Sequence, residues 1–141
     1  MAKTYADLLQ EVKGANRQVS LEDLKSRLDS GEELILLDVR EKDEWRQGHV
    51  PGELHIPRGF LVMQSGSRLP DKEAKIVTIC AGGIRSAFAA KVLQDLGYSN
   101  VESANPGYNQ WKDVGYPTTQ PFAFTDAQLN RYSRHLLLPE V

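Results

Sequence analysis

The chain has a single cysteine, Cys80, which lies where a predicted strand is followed by a predicted helix and could therefore act as a nucleophile. The preceding residues, 75–79, are mostly β-formers and predict a strand, whereas residues 86–96 predict a helix. Between them, Gly82 and Gly83 allow a tight loop in which backbone N–H groups can converge on one atom. The N-terminus of the following helix adds partial positive charge, which favours negative charge on the cysteine sulfur. The sequence therefore predicts a nucleophile or an anion site at the end of a strand.

The alternative interpretation of Cys80 is an unreactive core residue, since free cysteine is among the residue types most often buried. A core cysteine needs neither two glycines nor an arginine after it, and here Arg85 follows the loop. An arginine beside an anion cradle can hold a sulfonate through paired hydrogen bonds. The loop composition favours the reactive interpretation of Cys80. For Arg85 the alternative is a solvated residue in the first helical turn.

The elements around this loop alternate between helices and strands. In chain order, the sequence predicts a short helix ending at Gly14, a helix from Leu21 that Ser20 caps, strands at 34–37 and near 54–56, a strand at 75–80, a helix at 86–96, a strand at 101–104 and a short helix through Trp111. Prolines and glycines punctuate residues 48–70, which indicates a loop-rich connection. Residues 34–37 are apolar on both faces, as in a covered parallel sheet. We expect an α/β domain with a mostly parallel sheet flanked by helices on both faces.

Composition and charge exclude several functional classes. The 141 residues suffice for one globular domain and a short appendage. The net charge of −2 provides no basic surface for nucleic acid. The longest apolar run, residues 34–37, is far too short to cross a bilayer. The histidines His49, His55 and His135 lack metal-ligand spacing, so no metal is expected. We therefore expect a cytoplasmic protein without a nucleic-acid or membrane partner.

Three segments together resemble the single-domain rhodaneses, a family of sulfurtransferases. They are "CAGGIRS", "LLDVREKDEWRQGHVPGELHIP" and "NPGYNQWKDVGYPT". The resemblance implies a rhodanese-like fold in which Cys80 carries sulfur as a persulfide. It also implies that this sulfur is surrounded by a loop made of Ala81, Gly82, Gly83, Ile84, Arg85 and Ser86. A small-molecule donor such as thiosulfate would supply the sulfur, a thiophilic acceptor would receive it, and no metal or organic cofactor would be needed.

The same resemblance places Asp38 and Arg40 at the end of the first parallel strand, beside the thiol loop. There they would fix the loop rather than react; the alternatives are a direct role in substrate binding and a surface salt bridge of the kind common at strand ends. His49 would belong to a structural turn and not to the chemistry. The chain departs from the usual pattern at Glu53, where rhodaneses usually have alanine, and at Pro106, where they usually have glycine.

Loop length separates two classes of cysteine enzyme. Cysteine phosphatases have five residues between cysteine and arginine, which makes a cradle for a phosphoryl group. Four residues separate Cys80 from Arg85 here, so the ring is one residue smaller and a phosphatase is disfavoured. A different alternative is an interaction module that uses a rhodanese surface to dock a partner, with the thiol redundant.

The C-terminal segment carries a second resemblance. "FTDAQLNRYSRHLLLPEV" resembles the opening helix of the adenylyltransferases that activate ubiquitin-like sulfur carriers, the molybdopterin and thiamine type. This implies a sulfur carrier protein or an adenylyltransferase domain as partner; a helix packed on the domain is the alternative. We expect three regions: an N-terminal helical extension over residues 1–17, a rhodanese domain over 18–120 and a C-terminal extension over 121–141.

Overall fold

The structure is a computed structural model and describes residues 2–120. Within this range the chain forms a five-stranded sheet. The strands are β1 (Arg17–Val19), β2 (Ile35–Asp38), β3 (Leu54–His55), β4 (Ile76–Ile79) and β5 (Val101–Ala104). Their order is β1-β5-β4-β2-β3, and every neighbouring pair is parallel. All five strands therefore end at the same edge of the sheet, where an α/β fold carries its site.

Helices cover both faces of this sheet. In the described chain they are α1 (Tyr5–Ala15), α2 (Leu21–Asp29), α3 (Lys42–Gln47), α4 (Leu61–Arg68), α5 (Ile84–Asp95) and α6 (Tyr108–Asp113), with a 3₁₀ turn at Arg58–Phe60. The α/β class predicted from the sequence is confirmed. The predicted C-terminal extension, residues 121–141, lies outside the described residues.

Two buried apolar clusters, one on each face, hold the layers together. One cluster joins Leu61 of α4 and Leu93 of α5 to Ile76 of β4. The other joins Leu24 of α2 and Trp111 of α6 to the next residue of the same strand, Val77. Successive residues of a strand point to opposite faces, so β4 contributes to both clusters. Because β4 is the central strand and is covered on both faces, Cys80, which follows it, is attached to the best-packed strand of the sheet.

Several predicted elements agree with the structure, and others do not. The Ser20 hydroxyl caps α2 by accepting a hydrogen bond from the Asp23 N–H at 3.1 Å. The loop-rich connection predicted for residues 48–70 is wrong in its second half, where α4 forms. Gly66, one of the glycines that indicate a loop in the sequence, lies inside α4. An added Cβ there would meet open space, so the position does not require glycine. The strand β1 escapes prediction because it has three residues, of which one, Val19, is buried.

The N-terminal helix α1 packs on α5. Asn16, at the end of α1, is buried and donates a hydrogen bond from Nδ2 to the Ala87 carbonyl at 2.8 Å. The ring of Tyr5 stacks on Phe88 with 6.4 Å between centroids. The strand β1 that follows pairs with β5. The predicted short N-terminal helix is present, and it contacts the helix that begins at the thiol loop.

Candidate active site around Cys80

Cys80 follows β4 directly and is 1% exposed. The N–H of Gly83 donates a hydrogen bond to its Sγ at 3.1 Å, and the Ser86 hydroxyl lies 3.4 Å from the same sulfur. Gly83 has a φ of 103°, a left-handed conformation that favours glycine, and it caps α5. The helix begins at Ile84, slightly earlier than predicted, so Ser86 belongs to its first turn. The sulfur therefore lies between one backbone N–H donor and the Ser86 hydroxyl at a helix N-terminus.

The remaining loop residues differ in exposure. Gly82 and Ile84 are exposed, while Ala81 and Arg85 are partly buried. Gly82 lacks the positive φ that the sequence suggested for both glycines, so Gly83 alone supplies the left-handed turn of this loop. The buried Thr78 hydroxyl donates to the Ser86 carbonyl at 2.8 Å, which ties the strand before the loop to the helix after it.

A second set of contacts, the α6 clamp, fixes the loop from the start of α6, where the first two helical residues bind the loop backbone. The N–H of Tyr108 donates to the Cys80 carbonyl at 2.8 Å, and the N–H of Asn109 donates to the Ala81 carbonyl at 3.1 Å. Gly107 lies so close to this loop that an added Cβ would overlap the Cys80 carbonyl oxygen and approach Ala81 C and O at 2.7 Å. The loop carbonyls are therefore fixed away from the sulfur. Sequence reasoning missed this role of Gly107, since it depends on the approach of a distant segment.

Asp38 and Arg40 form a buried ion pair next to this clamp. Arg40 Nη2 lies 2.8 Å from Asp38 Oδ2, and the two side chains are 4% and 0% exposed. The Arg40 guanidinium also lies 4.2 Å from the centroid of the Tyr108 ring and donates to the Gly48 carbonyl at 2.8 Å. In the sheet, Asp38 pairs with Ile79, the residue before Cys80. The pair thus lies between β4, which precedes the loop, and Tyr108 at the start of α6, and its role in fixing the loop stays a prediction.

Arg85 makes a two-pronged ion pair with Glu44 of α3. Its Nη1 and Nη2 donate to Oε1 and Oε2 of Glu44 at 2.6 and 2.9 Å. Hydrogen bonding from this guanidinium lowers the pKa of Glu44 to about 2. The sequence predicted Arg85 as a sulfonate-binding group, and that role stays a prediction. Sequence reasoning did not single out Glu44, which looks like any acid in the first turn of a helix.

Glu53 places a second carboxyl group beside Asp38. Both of its oxygens are shielded from solvent, and within the described residues neither accepts a hydrogen bond of ordinary geometry. Burial, with a further contribution from the neighbouring Asp38, raises the pKa of Glu53 to about 11. We therefore expect Glu53 to hold a proton at neutral pH, next to the Asp38–Arg40 ion pair. The departure from the usual alanine thus introduces a shielded carboxyl group beside that pair.

His49 is buried and packs against Trp45, and its absence from the chemistry stays a prediction. Its ring stacks on Trp45 with 3.9 Å between centroids, and its backbone pairs with Thr119. Pro106, the other unusual position, follows a cis peptide bond. Among residues 2–120, no group of three or more histidine, cysteine or acidic side chains is arranged to hold a metal. In the same range, no helix is both long and apolar enough to cross a membrane.

Comparison with known proteins places this geometry in a family. The chain matches the Rhodanese-like domain over residues 20–114, a span that runs from the cap of α2 to the end of α6. The chain belongs to the rhodanese-like family. The family resemblance that the sequence suggested is thereby confirmed, and the matched span contains the rhodanese loop of Cys80.

Relatives of this rhodanese-like chain carry sulfur-related names. A sulfurtransferase of Allochromatium vinosum is 31% identical over 104 residues, which cover 74% of this chain and 95% of the relative. YrkF of Bacillus subtilis, named as a sulfur carrier protein, is 37% identical over 94 residues, which cover 67% of this chain and 50% of YrkF. The chain thus spans about half the length of YrkF. MoeZ of Mycobacterium tuberculosis, named as an adenylyltransferase/sulfurtransferase, is 30% identical over 105 residues, which cover 74% of this chain and 26% of MoeZ.

A solved structure shares this rhodanese-like fold. The protein RPA3614 of Rhodopseudomonas palustris superposes with a TM-score of 0.76 at 28% identity, over 83% of this chain and 95% of that one. It is described as a protein of unknown function and a possible tyrosine phosphatase. The fold is therefore shared with a protein that is described as a possible phosphatase.

The contrast between Gly107 and Gly82 yields a prediction for this rhodanese-like site. Gly107→Ala drives a methyl group into the loop carbonyls, so we expect a loss of about 3 kcal/mol in the free energy of unfolding and a disturbed loop. Gly82→Ala faces open space and should change stability by less than about 0.5 kcal/mol. Urea denaturation of both variants checks this. Equal stabilities would show that the α6 clamp is not tight.

Glu53 yields a prediction on pH. Its folded-state pKa is raised from the ordinary 4.5 to about 11, so the folded protein binds this proton more tightly than the unfolded chain. The stabilisation is complete below about pH 4.5 and is lost as the pH rises toward 11. Glu53→Gln keeps a neutral side chain, so its melting temperature should exceed that of the parent at pH 9 and approach it at pH 5.

The matched control for that change is the exposed Glu33. Glu33→Gln alters the same functional group and should leave the pH dependence of the melting temperature unchanged. If Glu53→Gln is instead less stable than the parent at pH 9, the carboxylate of Glu53 is stabilising and the buried acid is wrongly assigned. Thermal melts of the three proteins between pH 5 and 9 provide the measurement.

Proposed function

We propose that the chain is a sulfurtransferase that carries sulfane sulfur as a persulfide on Cys80. The observation that supports this most strongly is the position of the sulfur. It lies at the end of the central strand and accepts a hydrogen bond from Gly83 at the N-terminus of α5, in a chain of the rhodanese-like family. Backbone donors there stabilise a sulfur anion both before and after sulfur transfer. The clamp by α6 keeps the carbonyls turned elsewhere, which preserves that preference.

The proposed reaction has two steps on one atom. The Cys80 thiolate attacks the outer sulfur of thiosulfate, a new S–S bond forms, and the old S–S bond breaks with its electron pair leaving on sulfite. The enzyme then holds Cys–S–S⁻. A thiophilic acceptor such as cyanide attacks the terminal sulfur, takes it as thiocyanate and regenerates the thiolate. Both steps are displacements at sulfur, so neither requires a metal ion or an organic cofactor.

The proposal extends to the partners of the reaction. A small molecule supplies the sulfur, and a sulfur carrier protein or an adenylyltransferase domain is the proposed protein partner. The names of YrkF and MoeZ support this. Part of each protein is similar to this chain, and YrkF is named as a sulfur carrier protein and MoeZ as an adenylyltransferase/sulfurtransferase. The exposed outer face of the loop, at Gly82 and Ile84, leaves room for a protein to approach.

Replacing the sulfur tests the proposal directly. Cys80→Ser keeps the size of the side chain, so the fold should persist while sulfur transfer falls to the uncatalysed rate. After incubation with thiosulfate, intact-mass spectrometry of the parent should show a gain of one sulfur atom that a reductant removes. The serine variant should show no gain. A docking module with a redundant thiol would show no gain in either protein, and transfer that survives in Cys80→Ser would refute the assignment.

The name given to RPA3614 makes phosphatase activity the second function to test. Four residues separate Cys80 from Arg85, one fewer than in the cysteine phosphatase loop, and the Arg85 guanidinium is already paired with Glu44. The cradle therefore suits a single sulfur atom better than a phosphoryl group. We expect no hydrolysis of para-nitrophenyl phosphate above the rate of Cys80→Ser. A thiol-dependent rate above that background would favour the phosphatase.

A further inference from the structure

The guanidinium of Arg85, which belongs to the thiol loop, is already paired with a carboxylate in the structure. Both terminal nitrogens of Arg85 are used by Glu44, one on each carboxylate oxygen, at 2.6 and 2.9 Å. This is the same planar, two-pronged arrangement through which arginine recognises a sulfonate or a phosphate. The carboxylate thus occupies the recognition surface that an anionic sulfur donor would use.

Glu44 is itself held in place by the start of α3. Its Oε1 accepts a hydrogen bond from the N–H of Glu41 at 3.0 Å, as part of a reciprocal capping arrangement. The side chains of Glu44 and Arg85 are 36% and 32% exposed, so the pair lies at the rim of the site, within reach of solvent. A donor can reach this pair, but it must compete with a carboxylate that the helix holds in place.

Glu44 also borders a polar cavity of about 220 Å³ beside the loop. Arg40, Asn109 and Lys112 lie on other parts of its lining, and the backbone of Asn109 bonds to the loop itself. Residues 81–84 carry no charge, so Arg85 is the cation that the loop sequence contributes. Glu44 therefore both pairs with the Arg85 guanidinium and lines this cavity, so Arg85 becomes available to an anionic donor only when the carboxylate is displaced.

We propose that Glu44 is a specificity-determining residue that occupies Arg85 and selects against sulfur donors carrying a sulfonate. The inference rests on the proposed sulfurtransferase function. Thiosulfate must displace a bound carboxylate before Arg85 can hold its sulfonate, whereas a persulfide donor R–S–SH needs no such contact. In that reaction the Cys80 thiolate takes the outer sulfur, the donor S–S bond breaks, and R–SH leaves with the proton. The protein is therefore adapted to uncharged or weakly charged persulfide donors.

The test compares two donors on the full chain and on Glu44→Gln. Glutamine keeps the acceptor oxygen for the Glu41 N–H but removes the charge that holds Arg85. Formation of the Cys80 persulfide is followed by quenched intact-mass spectrometry against increasing thiosulfate or N-acetylcysteine methyl ester persulfide. For thiosulfate, the half-saturating concentration should fall about fivefold, as expected for a partly exposed ion pair, with little change in the maximal rate. For the persulfide donor, neither quantity should move by more than about twofold.

Two further variants assign the effect. Asp43→Asn removes the same charge from an exposed neighbour in the same turn, so it should leave the half-saturating concentration of thiosulfate unchanged. Glu44→Gln combined with Arg85→Gln should lose the gain, because the released guanidinium is then absent. Urea denaturation of each variant confirms that the fold persists.

The outcomes separate this inference from the proposed function. No persulfide from either donor on any variant would refute the sulfurtransferase itself. Persulfide formation with a thiosulfate response that Glu44→Gln leaves unchanged would overturn the role of Glu44 alone. Equal losses with both donors would show that Glu44 positions the loop and does not select the donor. A gain that persists without Arg85 would show that the carboxylate acts by general repulsion, which also overturns the proposal.

Discussion

The close approach of the turn before α6 to the thiol loop is the constraint on which the site depends. The N–H groups of the first two residues of α6, Tyr108 and Asn109, bind the carbonyls of Cys80 and Ala81, and the approach is so tight that the cap residue Gly107 has no room for a side chain. A loop carbonyl left near the sulfur would place a negative dipole against an anion. By binding those carbonyls elsewhere, the start of α6 leaves the Gly83 N–H and the α5 N-terminus facing the sulfur.

Charge around the loop is divided between a buried layer and an exposed rim. In the buried layer, Arg40 is paired with Asp38 and stacked on Tyr108, and the raised pKa of Glu53 favours a second carboxyl group that adds no negative charge. At the rim, Arg85 and Glu44 neutralise each other within reach of solvent. Breaking a buried pair leaves a costly unpaired charge, whereas exchange at the rim costs little. We therefore expect the buried layer to stay fixed and the Arg85–Glu44 pair at the rim to be the part that an anionic ligand can rearrange.

The sequence predicts the local parts of this site well and the non-local parts poorly. The strand, the glycine turn and the helix around Cys80 follow from patterns within about twenty residues, and Gly83 adopts the positive φ that such a turn requires. Glu44 lies 41 positions from Arg85, and no local pattern marks the pair. The need for glycine at residue 107 likewise arises only when the α6 turn meets the loop. β1 exists because β5 offers an edge to pair with, since its own three residues have little strand signal.

The attachment of the N-terminal segment has a consequence for what counts as one folding unit. The family match begins at residue 20, yet Asn16 is bound to the first half of α5 and β1 covers β5. Both α5 and β5 are connected to the sulfur site. The helix α5 begins at the thiol loop, and β5 is followed by a turn and by helix α6, whose first residues bind the loop carbonyls. Without residues 2–19, β5 would become an unprotected sheet edge and α5 would lose a buried hydrogen bond. We therefore expect the cooperative unit that shapes the site to be larger than residues 20–114, the span that matches the family model.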